Sequence, residues 1–80
     1  MKIFVYSLKN VLFQGAGSSL NCKTTSGEIT VLDHHDALIT ALAEGTMKIV
    51  DENKKEHFFP VKDGFLEVKP GNEVRCIVEQ

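Results

Sequence analysis

The chain has 80 residues, 42% hydrophobic and 25% charged, with nine Lys and Arg against eleven Asp and Glu for a net charge of -2. One domain spanning residues 1–80 follows from that length, burying about 60% of the surface its unfolded chain exposes, and the composition excludes a disordered chain. No basic stripe offers itself to nucleic acid, and no apolar run nears the roughly 20 residues of a spanning helix or forms a signal-peptide core, which points to a cytosolic chain without direct membrane insertion.

Short extended runs separated by turn residues fill the sequence, a pattern that predicts an all-β fold. Residues 2–8 hold Ile3-Phe4-Val5-Tyr6, rich in β-branched and aromatic side chains, and a second run, 11–13, follows the polar break Lys9-Asn10. Gly15-Ala16-Gly17-Ser18-Ser19 then predicts a turn or bulge. Residues 20–24 and 28–32 flank Thr25-Ser26-Gly27 as a hairpin, with Gly27 at positive φ. Ile29 and Val31 point to one side of that strand, Thr30 and Leu32 to the other.

Residues 38–43 fit two readings, since Leu38, Ile39 and Leu42 also have helical spacing, but the run is short and ends at Gly45, so it is read as a strand or edge segment. Residues 46–50 place Met47 and Ile49 on one face, turn at Asp51-Glu52-Asn53-Lys54 and return over 55–61. Pro60 cannot donate to a ladder, which puts that strand at an edge or its proline at a bulge. Residues 64–69 set Leu66 and Val68 on one face, with Glu67 and Lys69 exposed on the other. Pro70-Gly71-Asn72 makes a turn, and in 73–79 the side chains of Val74, Cys76 and Val78 share a side. The sum is a flattened antiparallel β-sandwich of about eight to ten short strands.

Few residues invite chemistry. Cys22 and Cys76 could form one bridge, but without an export signal two cysteines read more naturally as reduced, half-buried strand residues, and two thiolates supply only half of a zinc shell. Asp33-His34-His35-Asp36 could hold a metal, form a solvated turn or serve as a contact loop. Successive residues of an extended segment point apart, so at most His34 with Asp36, or Asp33 with His35, could converge on one ion, too few for a selective site. No Gly-x-Ser-x-Gly elbow accompanies Ser18-Ser19, and the glycines there lack the Lys and the helix of a phosphate loop. Phe58, Phe59 and Phe65 read as core by default, yet adjacent strand residues face opposite ways, so Phe58 or Phe59 must point outward as a candidate partner anchor.

Three motifs in order carry a family likeness: Leu12-Phe13-Gln14-Gly15; Gly27-Glu28-Ile29-Thr30-Val31-Leu32 followed by His35, Leu38, Ile39, Thr40 and Leu42; and Gly64-Phe65-Leu66-Glu67-Val68. Together they cover nearly the whole chain, which resembles the N-terminal β-sandwich domain of the ε subunit of F-type ATP synthases, in a short form without the family's C-terminal helical hairpin. Two prolines of the family's turn are replaced, its Pro-Gly by Asp33-His34 and its Ala-Pro by Asp36-Ala37.

The resemblance implies a non-catalytic rotor subunit with no catalytic, cofactor or metal residues, seated on the shaft subunit γ and touching polar loops of the ring of c subunits. It would couple ATP synthesis and hydrolysis to ion transport, peripheral to the inner face of the membrane. Glu28 and His35 match the family's ring-facing acid and histidine. Nucleotide binding is not expected, because the family holds nucleotide in the hairpin. The alternative is a free-standing β-sandwich adaptor for another protein.

Overall fold

Alternating apolar and polar side chains resolve into eight strands in a computed structural model that describes residues 1–80. They are β1 (Lys2–Tyr6), β2 (Val11–Thr24), β3 (Gly27–Leu32), β4 (Leu38–Leu42), β5 (Gly45–Asp51), β6 (Glu56–Val61), β7 (Asp63–Lys69) and β8 (Glu73–Glu79). There is no helix, and hence none long and apolar enough to cross a membrane. The ambiguous segment at 38–43 is a strand, held by a full antiparallel register to β7 from Leu38↔Val68 to Leu42↔Gly64.

The strands form two layers, β1-β8-β7-β4 and β3-β2-β5-β6, both served by β2. Residues 11 and 13–16 of β2 pair with β1, whereas 19–24 pair with β3 and 17–21 with β5. The ladder to β5 slips between Gly17 and Ser19, so a bulge bends the strand from one layer into the other. Gly15–Ser19 therefore holds the expected bulge and not a turn, and the two runs expected at 11–13 and 20–24 are halves of one 14-residue strand.

A second departure is β1 against β8, which run parallel from Lys2↔Glu73 to Tyr6↔Ile77 in a fold expected to be antiparallel throughout. The first and last strands meet only when the whole chain has wrapped, so no local turn dictates their direction. β6 pairs only with β5, which makes it an edge and accommodates Pro60, opposite Thr46.

The core lies between the layers. β1, β7 and β8 contribute Ile3, Val5, Leu66, Val68, Val74, Cys76 and Val78; β2, β3 and β5 contribute Leu20, Cys22, Val31, Met47 and Ile49; Leu42 and Val61 complete it. Each fully buried aliphatic side chain contributes about 1.5–3 kcal/mol of transfer free energy. Both cysteines are buried and free, not half-buried as their strand positions suggested, because each falls on the inward parity of its strand. Thr24 is the one buried polar side chain; its hydroxyl donates to the Gly27 carbonyl at 2.7 Å and accepts from Ser26 N at 3.1 Å, closing the β2–β3 hairpin where Gly27 has φ +123°.

Candidate functional site

The outer faces of the two layers differ. On β1-β8-β7-β4 the register aligns Tyr6, Ile77, Phe65 and Ala41 in one row, and Val11 of β2 extends it beside Tyr6. Phe65 is 64% exposed and Ile77 62%. The next row, Phe4, Arg75, Glu67 and Ile39, adds an isoleucine that is 73% exposed. A shallow groove of about 390 Å³ runs between these rows. Contiguous apolar surface on the outside of a small sheet marks an interaction site.

Sequence reading placed Phe65 in the core and overlooked Ile77 and Ile39. The signal was present: the alternation that sends Leu66 and Val68 inward sends Phe65 outward. Phe58 and Phe59 divide as expected, Phe58 being 58% exposed while Phe59 packs against the core. Glu67 and Lys69, expected to be exposed, are partly covered by their neighbours on the outer face.

Arg75 is fixed within the apolar face. Its guanidinium lies 5.1 Å from the centroid of the Phe4 ring, and its Nε donates to Glu73 Oε2 at 2.9 Å. That hydrogen bond holds the Glu73 carboxyl below the usual range and raises Arg75 in turn.

The outer face of β3-β2-β5-β6 is mostly polar, with Leu32, 56% exposed, and Phe58 as its apolar exceptions. Asn21 Nδ2 donates to Glu28 Oε2 at 3.0 Å and to Thr30 Oγ1 at 2.8 Å, and Lys48 pairs with Glu56 at 2.8 Å. Phe58 is set in this polar surface, in register with Lys48.

Glu28 and His35 are exposed but are not brought together. Glu28 opens β3 beside the β2–β3 turn, whose Thr25 N donates to Ala41 O at 3.1 Å. His35 follows the far end of β3, on the order of 13 Å of strand away and then three residues further. There Asp33 Oδ1 accepts from the Met1 ammonium at 2.6 Å and from Asn72 Nδ2 at 3.3 Å, which holds its carboxyl below the usual range, the ammonium having the larger effect. Asn72 Oδ1 accepts from His34 N at 2.7 Å, and His34 takes φ +62°. His35 Nδ1 lies 2.7 Å from the Asp36 carbonyl. The turn is tied to its neighbours through the Asp33 carboxylate and the His34 backbone, and no three His, Cys, Asp or Glu side chains converge there or elsewhere.

Residues 1–80 match the family model described as ATP synthase, Delta/Epsilon chain, beta-sandwich domain. The chain belongs to that family. Among curated relatives, the ATP synthase epsilon chains of Acinetobacter baumannii strains SDF and AYE are 37% and 36% identical over 70 residues. Each alignment takes in 88% of this chain and 50% of the relative, so the chain spans about half the length of the relatives it matches. Two solved structures share the fold. A chain of the Euglena gracilis mitochondrial ATP synthase, in an OSCP/F1/c-ring assembly, superposes with a TM-score of 0.90 at 20% identity, covering 98% of this chain and 49% of that one. A chain of the Tetrahymena thermophila mitochondrial ATP synthase central stalk and c-ring gives 0.85 at 18% identity, covering 100% and 63%.

Proposed function

We propose that the chain is a non-catalytic central-stalk subunit of an F-type ATP synthase, joining the γ shaft to the ring of c subunits so that rotation passes between them and ATP chemistry is coupled to ion movement. Family membership over residues 1–80 supports the assignment, and the contrast between the two outer faces carries its mechanism. The apolar band of Val11, Tyr6, Ile77 and Phe65 is suited to permanent burial against γ, since its removal from water favours association without a directional contact. Sheet hydrogen bonds running through β2 link this face to the polar layer, and a ladder of that kind resists shear between the parts it joins.

Polar loops of the ring would meet the polar layer at its ends. Glu28 and His35 lie at opposite ends of β3, so a ring contact at one end of the strand reaches one of them, whereas a contact along its length would reach both. We place the contact at the hairpin end, where the Glu28 side chain is held by Asn21 alone, while the His35 turn is bonded through Asp33 and His34 to Met1 and Asn72. In this reading the protein sits at the inner membrane face through its complex.

Co-expression with the γ subunit of the same cell tests the assignment, with a stable one-to-one complex on size exclusion as the expected result. Absence of a complex would return the chain to the reading of a free-standing β-sandwich adaptor.

A further inference from the structure

Resting on the stalk assignment above, we infer that Arg75 and Lys69 seat a carboxylate of the γ subunit, presented beside apolar side chains that lie on the Phe65–Ile77–Tyr6 band. The face that carries this seat has a charge gradient. At one end, Lys69, Glu73 and Lys2 share a row, and Arg75 and Glu67 occupy the next. Three cations meet two carboxylates there, an excess of positive charge on a chain whose net charge is -2. Beyond the apolar row, Asp63 and Glu79 pair in register and make the other end acidic, with Lys62 Nζ 4.0 Å from Glu79. An anion on the partner is therefore drawn to the Arg75 end and repelled from the other.

Arg75 is built for that contact more than a free surface arginine is. Stacking on Phe4 and the Nε bond to Glu73 fix the plane of the guanidinium, while neither Nη nitrogen has a hydrogen-bond partner within the chain. A planar fork already held in place loses little freedom when it takes a carboxylate. Lys69 lines the same groove as Arg75, together with Ile39, Phe65 and Ile77; it lies opposite Glu73 in register but within ion-pair distance of no carboxylate. Glu67 also lines the groove, but it is not within ion-pair distance of Arg75, which leans toward Glu73. Arg75 and Ile77 are two residues apart on β8, about 7 Å, a spacing matched by neighbouring side chains on one face of a helix or strand of the partner.

The test measures the dissociation constant of the complex with the γ subunit across a salt series. Arg75→Gln is expected to weaken binding at least about tenfold and to flatten the salt dependence. Phe65→Ser is expected to weaken it at least about 30-fold, and Phe58→Ser on the polar face to leave it unchanged. Circular dichroism confirms that each variant is folded. In the second arm, Arg75→Glu is combined with γ variants in which each carboxylate is replaced in turn by lysine, and one of them should restore binding.

A wild-type chain that forms no complex would overturn the stalk assignment and this seat with it. A complex that tolerates Phe65→Ser and Arg75→Gln, or one lost through Phe58→Ser, would leave the assignment standing and overturn the seat. So would an unchanged salt dependence in Arg75→Gln, or a γ scan in which no lysine restores binding.

Discussion

Asp51 and His57 face each other across the β5–β6 hairpin, with His57 Nε2 2.9 Å from Asp51 Oδ2 and the Phe13 ring inclined at 67° to the imidazole, 5.0 Å between centroids. The other oxygen of Asp51 accepts from Asn53 N at 2.8 Å and Lys55 N at 3.0 Å, so one carboxylate organises the whole tip and lets Lys54 take φ +65°. The bond from His57 is the main reason the Asp51 carboxyl lies below its usual range, followed by that from Lys55 N.

Acid sensitivity follows from the sign of that shift. Asp51, Asp33 and Glu73 all have lowered values in the folded chain, so each contributes stability above the unfolded carboxylate value of about 4 and loses it as pH falls through the folded value. The melting temperature is expected to drop below about pH 4. Asp51→Asn should melt lower than wild type at pH 6 and show a shallower fall in acid. Parallel curves for the two proteins would show that Asp51 has no part in the acid limb.

Leu66 and Glu67 are neighbours on β7 with opposite fates, Leu66 being wholly buried and Glu67 on the outer face. Leu66→Ala is expected to cost about 2–5 kcal/mol in urea unfolding, and Glu67→Ala about 0.5 kcal/mol or less. Equal costs would contradict the face assignment.

This parity is legible in the sequence, as are the hairpins at Gly27 and Asp51–Lys54 and the edge position of Pro60. Each depends on residues close together in the chain. The bend in β2 was half legible: Gly15 and Gly17 announced irregular backbone, but whether a strand ends or bends there depends on β5 being present to continue the ladder at Gly17↔Asp51. The parallel pairing of β1 with β8 joins residues some seventy positions apart and left no local trace. Glu28 and His35 follow from the family resemblance alone, and their separation follows from β3 being extended between them.

Gly64 and Gly27 separate backbone strain from crowding. Both have positive φ, +149° and +123°, but a methyl group at Gly27 meets open space, whereas at Gly64 it runs into the backbone of Ile77 and Val78 on β8. Gly27→Ala is expected to cost about 1–3 kcal/mol from strain alone. Gly64→Ala should cost clearly more, because a paired strand cannot move aside without breaking the β7–β8 ladder. Chemical denaturation of the two variants compares them directly, and a smaller loss at Gly64 would contradict the packing of β7 on β8.

Burial pushes the Cys22 thiol up to about 11 and raises Cys76 further, so neither supplies appreciable thiolate at neutral pH. Disulfide exchange with an aromatic probe is expected to be negligible in the folded chain and to appear for both cysteines at the unfolding midpoint. Rapid labelling of either thiol under native conditions would show that its layer opens without global unfolding.

Glu28 and His35 provide the test of the proposed contact between the polar layer and the ring. A partner seated at one end of β3 rests on one of the two, and the His35 turn is already bonded to Met1 and Asn72 through Asp33 and His34. In a reconstituted synthase, Glu28→Gln is expected to weaken attachment to the ring by about 1 kcal/mol, the range of a partly exposed polar contact, with γ binding and soluble ATP hydrolysis unchanged. His35→Ala should leave both ring attachment and coupled ion movement near normal, so the double variant should behave like Glu28→Gln alone. Losses that add across the two substitutions would mean that the ring lies along the length of β3 and not at its end. A loss from His35→Ala alone would move the contact to the Asp33–Asp36 turn and leave the β2–β3 hairpin free.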